Sequence, residues 1–270
     1  MFANRVEGER YTASIHAGFS VHEERDRIKQ MQAQYEHTPE RILIYLAGPS
    51  TKVQKAFAFQ GEEVVRRNID YLFQHCSAII QLTPDGLLDK LDFQEGNMKN
   101  EEWFPALLAV MRTIMRLHEP LGFEKITALP LDNTRSEADL LATRQGIRYA
   151  IEVFRTKEEI PRDHSVELGE HIAKRYNGKE DQCGQSNDGK KKQLRSTMEK
   201  YDCSRAIFVV AFDSCSAKLY SKQALRDAAD CARVGMDMPN KTHVLIFTGA
   251  KWDEPSKEDE CWAIEPALPD

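Results

Sequence analysis

No stretch of this chain approaches the roughly 18 consecutive apolar residues that a bilayer-spanning helix needs. The longest apolar runs, RAIFVVAF and HVLIF, are far shorter, and no membrane partner is expected. The opening MFANRVEGERYTAS carries no apolar core of the kind a secretory leader has, so a cytoplasmic location is the default expectation. Close cysteine pairs are missing too. The six cysteines, at 76, 183, 203, 215, 231 and 261, are scattered with no C-x-x-C spacing. Reduced thiols are therefore expected rather than disulfides, and a structural zinc site, which draws on close ligand pairs, is not. An excess of positive charge is absent: the formal net charge is −6 and the pI about 5.8. That excludes a protein that coats nucleic acid by charge alone. It leaves room for an enzyme with a local basic groove on an acidic body, or for a member of a complex. There is no internal repeat.

What is present is an alternation of helical and extended patterns. NEEWFPALLAVMRTIMRLHEPLGFE has apolar residues at 104, 107, 108, 111, 114, 115 and 117, a helical period. Pro105 confines the helix start to about 101–104, and Pro120 with Gly122 stops it. Strands are expected at about 123–130, 137–143 and 147–155, the last two joined tightly at Gln145-Gly146 as an antiparallel hairpin. A polar stretch, NGKEDQCGQSNDGKKKQ, leads into a helix at about 189–201. RAIFVVAF (205–212) reads as a strand buried on both faces, followed by a helix at 220–234, a strand at 242–249 and an irregular tail. The result is an α/β fold with a mixed central sheet flanked by helices. In the first half, RILIYLAG (41–48) and SAIIQL (77–82) read as strands around a helical KVQKAFAFQGEEVVRRNIDYLFQHC. Residues 1–98 are thus expected as an N-terminal α/β extension or small domain, and 99–270 as the main domain.

Chemistry concentrates in EADLLATRQGIRYAIEVFRT, residues 137–156. A hairpin can set Asp139 and Glu152, one acid from each strand, side by side. Two carboxylates that close repel, and one pKa rises, unless a divalent cation lies between them. Hard oxygen ligands suit magnesium or manganese, and such an ion activates water against a phosphodiester.

LGFEKITALPLDNTRSEADLLATRQGIRYAIEV, together with the helix–three strands–helix–strand order of 101–212, resembles the PD-(D/E)XK, or restriction-endonuclease-like, superfamily over about residues 101–249. The resemblance implies an αβββαβ core and a metal-dependent nuclease that hydrolyses DNA to a 5′-phosphate and a 3′-hydroxyl, in restriction, defence or repair. It makes Asp139 the first motif acid and Glu152 the acid of E-x-K. Glu101 is implied as a third ligand to Mg2+ or Mn2+, and the Val153 carbonyl as a fourth.

The chain departs from the motif at one place: E-x-K is Glu152-Val153-Phe154, so the lysine is missing. Some members recruit it from the neighbouring helix, which here opens Lys190-Lys191-Lys192. Lys192 is the residue expected over the acids, with Lys191 beside it. Lys190, Lys191, Lys192, Gln193 and Arg155 are the expected contacts to nucleic acid, Arg155 pointing to the face opposite Phe154. A lysine run at a helix N-terminus opposes the dipole, which a bound phosphate would relieve.

Two other readings stay open. One is a catalytically inactive nuclease-fold subunit that binds nucleic acid, a protein partner or a second copy of itself. The other is a nucleoside- or nucleotide-processing protein using the IYLAGP loop at Gly48-Pro49, which is similar to the opening strand and loop of nucleoside deoxyribosyltransferase-like proteins. His164 and His171 read as surface histidines.

Overall fold

The computed structural model describes residues 21–48, 50–91, 103–129, 137–156, 164–180, 186–187, 189–212, 221–238, 240–247 and 262–269. The chain forms two compact units that divide between Tyr71 and Leu72, not at the expected 98/99.

The first unit is helical where it is described. Its helices are α1 (Val21–Gln34), α2 (Glu40–Ala47), α3 (Thr51–Gln60) and the first half of α4 (Glu62–Ile80). The expected strand at 41–48 is α2. Pro39 opens it, Glu40 sits in its first turn, and Gly48 closes it with its N–H donated to the Tyr45 carbonyl. A short apolar run fits a buried helix as readily as a strand, and here Ile42, Leu43 and Leu46 form the buried side. The strand of the nucleoside-processing reading is therefore helix, and Pro49 of its loop lies outside the described residues. The helix expected over 52–76 is broken at Gly61, whose φ of 91° lies where side chains strain the backbone. Asp70 receives the Thr38 hydroxyl at 2.8 Å and the His37 N–H at 2.9 Å, fastening the α1–α2 turn to α4 within this unit.

The second unit holds the rest of α4, including 77–80. The expected strand at 77–82 is thus the last turn of a 19-residue helix and its exit. The extension is helical where described, not α/β. After α5 (Pro84–Lys90) and α6 (Trp103–His118) come β1 (Lys125–Ala128), β2 (Leu140–Arg144) and β3 (Ile147–Thr156). Then follow α7 (Ser165–Asn177), the short pair β4 (Lys179–Glu180) and β5 (Ser186–Asn187), α8 (Gly189–Lys200), β6 (Arg205–Phe212), α9 (Lys222–Val234), β7 (Thr242–Phe247) and β8 (Trp262–Glu265). β8 corrects the expectation of an irregular tail, and α7 adds a helix to the expected order. Among the described residues, no helix is long and apolar enough to cross a membrane.

Six strands form one mixed sheet in the order β1-β2-β3-β6-β7-β8. β1, β2 and β3 are antiparallel neighbours, β3-β6-β7 run parallel, and β8 closes the edge antiparallel. β6, at the centre, is buried from Ala206 to Phe212, as a strand covered on both faces must be. One face carries α7, α8 and α9: Ala150, Phe208, Val210, Val244 and Ile246 share a core with Leu168, Ile172, Leu194 and Leu225. α6 packs on β1 and β3. The chain after it brings Phe123 edge-on to Tyr149, which alternates with Ala150 and so faces the other side.

Between β2 and β3 the turn is two residues, Gln145 and Gly146, with φ of 49° and 75°. Two successive positive φ values are those of a type I′ hairpin turn, whose twist matches the strands it joins. It pairs Arg144 with Ile147 and Leu140 with Ile151.

Candidate active site

One step beyond Leu140–Ile151, the same register sets Asp139 opposite Glu152. Asp139 lies just before β2, and its backbone and side chain do different work. Its carbonyl accepts from Leu129 N–H at 2.9 Å, extending the β1–β2 ladder. Its carboxylate Oδ2 accepts the Val153 N–H at 2.7 Å, across to β3. Val153 thus enters the site through its N–H, which holds the acid.

Glu152 is wholly buried, on the face that carries α7, α8 and α9. Its Oε1 is ion-paired and hydrogen-bonded to Lys190 Nζ from the start of α8. Its Oε2 is buried with no hydrogen-bond partner. Burial pushes the Glu152 carboxyl up to about 8, the neighbouring Asp139 carboxylate pushes it the same way, and Lys190 only partly offsets both. Asp139 is likewise raised by burial, against the pull of Lys190 and the Val153 N–H. Both acids therefore have more negative charge to place than one lysine offsets.

The lysine against the acids is Lys190, not Lys192. Successive residues of a helix point about 100° apart, and α8 is laid on the sheet by Leu194, Thr197 and Met198, all buried. Lys190 lies four residues before Leu194 and seven before Thr197, on that buried stripe. Lys191 turns aside to Asp237, Nζ to Oδ2 2.7 Å. Lys192 is exposed on the opposite side. Gln193 gives its amide N–H to the Glu137 carbonyl at 3.1 Å, so the residue expected on nucleic acid contacts the acid-bearing segment instead.

Phe154, where the motif would place lysine, is built into the core layer. Its ring stacks on Phe208 with centroids 6.2 Å apart and planes 19° from parallel, and the Arg175 guanidinium lies 5.9 Å over it. Arg155 alternates to the other face and is half-buried. Glu101 lies outside the described residues. His164 precedes α7 and pairs with Glu167 at 2.8 Å. Among the described residues, no group of three His, Cys, Asp or Glu side chains is placed to hold a metal ion.

α8 and the residue after it make a further set of contacts with residues 137 and 138. Thr197 Oγ1 accepts the Ala138 N–H at 2.7 Å. Lys200 Nζ and Tyr201 OH, the latter at 2.9 Å, both donate to the Glu137 carboxylate. Residues 190, 193, 197, 200 and 201 fall on one helical face, and that stripe was the available signal.

Carboxylates on neighbouring strands are the donor type that a divalent cation takes. Magnesium and manganese are held by one or two carboxylates and keep several waters, and a buried carboxylate oxygen with no partner is a vacant acceptor. Comparison of the chain with models of protein families, with characterised proteins and with solved structures gave no match.

Proposed function

We propose that the chain is a divalent-metal-dependent phosphodiesterase acting on DNA, with Asp139 and Glu152 as its ligands for Mg2+ or Mn2+. The observation that carries the reading is the Glu152 carboxylate: buried, opposite a second acid, one oxygen without a partner, the other on a lysine that α8 supplies. The order α6, β1-β2-β3, α8, β6 supports it, being the order that the resemblance to the restriction-endonuclease-like superfamily implies, although α7 and the short β4–β5 pair are inserted between β3 and α8. When bound, the ion supplies positive charge and Lewis acidity beside a phosphodiester and its attacking water.

The chain's own groups then have distinct tasks. Val153 N–H and the hairpin register hold Asp139 in place. Lys190, about a third exposed at its side chain, is the cation within reach of both Glu152 and an incoming phosphate. If a cation were held by Glu152, Lys190 would be the ammonium available to the substrate's phosphate oxygens, where developing charge is stabilised. The N-terminus of α8, with Lys191 and Lys192 beside it, adds a partial positive charge.

A second reading is an inactive nuclease-fold subunit. Its specific support is Phe154, whose stack on Phe208 commits the lysine position to packing. Calorimetric titration of Mn2+ into wild type, Asp139→Ala and Glu152→Ala protein, paired with plasmid nicking, separates the two. Binding that needs both acids, with nicking lost in Lys190→Met and kept in Lys192→Met, is the expected result. Metal binding without nicking of any nucleic acid would favour the inactive subunit, and no binding would refute the metal reading.

A further inference from the structure

We infer that Thr197 is a positioning residue for Asp139, acting through the backbone of residues 137–139. The segment that carries Asp139 precedes β2 and does not share its ladder with β3. Asp139 itself is met by the Leu129 and Val153 N–H groups, whereas the two residues before it, 137 and 138, are held at three points from α8 and from Tyr201, the residue after that helix. Gln193 Nε2 donates to the Glu137 carbonyl, Thr197 Oγ1 accepts the Ala138 N–H at 2.7 Å, and Lys200 with Tyr201 holds the Glu137 carboxylate.

Thr197 is the innermost of these. Its side chain is fully buried, and the Ala138 N–H it satisfies belongs to a residue that is 2% exposed. Water has no easy route to that N–H, so the hydroxyl is its acceptor and fixes the peptide unit from which the Asp139 side chain departs. The Glu137 contacts lie nearer the surface, with the Lys200 side chain more than half exposed, and salt screens such pairs. α8 therefore presents Lys190 to one acid and, two turns later, Thr197 to the backbone of the other. One helix sets the spacing of both.

The inference rests on the metal reading only for what Asp139 does once placed; the placement itself is testable without metal. The reporter is the Val153 amide, which the Asp139 carboxylate accepts at 2.7 Å. Its hydrogen exchange is measured by NMR in wild type, Thr197→Val, Thr197→Ser and Gly169→Ala, the last a packing change between α7 and α9 that lowers global stability alone. In Thr197→Val, exchange at Val153 should accelerate about tenfold or more beyond that of the β6 amides, as a local opening does. Thr197→Ser should restore protection. Equal effects of Thr197→Val and Gly169→Ala at Val153 would overturn the inference, since the hydroxyl would then be only part of the packing.

Mn2+ titration of the same four proteins gives a second readout: affinity should fall about tenfold in Thr197→Val and hold in Gly169→Ala. Unchanged affinity in Thr197→Val, with wild type binding, would also overturn it. Absence of Mn2+ binding by wild type would remove the metal reading and leave the exchange data to decide the placement.

Discussion

Raising the pH should destabilise this protein in the absence of divalent ions, and Glu152→Gln should remove most of the effect. Burial first, then Asp139 across the hairpin, pushes the Glu152 carboxyl up against the pull of Lys190, to about 8 where an ordinary glutamate lies at 4.5. The native state thus binds this proton more tightly than the unfolded chain does. The stability it contributes is complete below 4.5 and is lost as the pH climbs through about 8. Each pH unit in that interval is worth about 1.4 kcal/mol, so the whole swing is of order 5 kcal/mol, less whatever water entering the site recovers. Glutamine keeps the shape of the protonated acid and does not titrate. Urea unfolding in EDTA, at about pH 5 and about pH 9, should show wild type losing several kcal/mol more than Glu152→Gln. Saturating Mn2+ should flatten the wild-type slope, because a cation relieves the carboxylate as a proton does. If the two metal-free curves stay parallel to within about 1 kcal/mol, the buried-acid account of this site is wrong.

Three further outcomes are expected. A methyl at Gly169 would meet the Ala228 carbonyl at 2.8 Å and Cys231 Cβ at 2.6 Å, so Gly169→Ala should destabilise by about 1–3 kcal/mol in urea titration; an unchanged midpoint would mean that α7 and α9 separate freely. His243 takes Arg205 at Nε2, 3.5 Å away, and gives its Nδ1–H to the Pro266 carbonyl at 2.7 Å. Burial, then Arg205 and Arg233, hold it below the ordinary imidazole value, with Pro266 pulling the other way. Its stabilisation is full above about 6.5 and is lost on acidification below that value, so thermal melts of wild type minus His243→Gln should show a loss confined to the acid side. A difference that is flat with pH would refute this. Phe154→Lys restores the motif's lysine yet should lower stability by about 1–3 kcal/mol, through loss of the Phe208 stack and repulsion from Arg175. It should not raise nicking, and a gain in nicking would show that Lys190 does not serve as the site's cation.

The strands of the main sheet up to β7 and the β2–β3 hairpin were legible because their signals are local. RAIFVVAF, dominated by β-branched and aromatic residues, favours a doubly covered strand over a buried helix, and the close Gln145-Gly146 turn ties 137–143 to 147–155 as a hairpin. The first half misled because RILIYLAG and SAIIQL are too short for periodicity to separate a buried helix from a buried strand. What decided them was punctuation: Pro39 and Gly48 around one, and a 19-residue helix swallowing the other. β8 was missed because its four residues carry no repeat. At the site, the two acids were legible from hairpin pairing, whereas three adjacent lysines differ only in direction. That direction follows from which residues of α8 are buried, so Leu194, Thr197 and Met198, read as a stripe, already favoured Lys190 over Lys192.

The two-residue turn at Gln145-Gly146 stands six residues from either acid. Since side chains along a strand alternate, lengthening that turn by one residue would slide β2 by one pair and swing Asp139 out of the Glu152 side while leaving every residue of the site intact. The turn thus works as a gauge block for the acids, and the place where this protein is easiest to disarm lies at the hairpin tip, away from its chemistry.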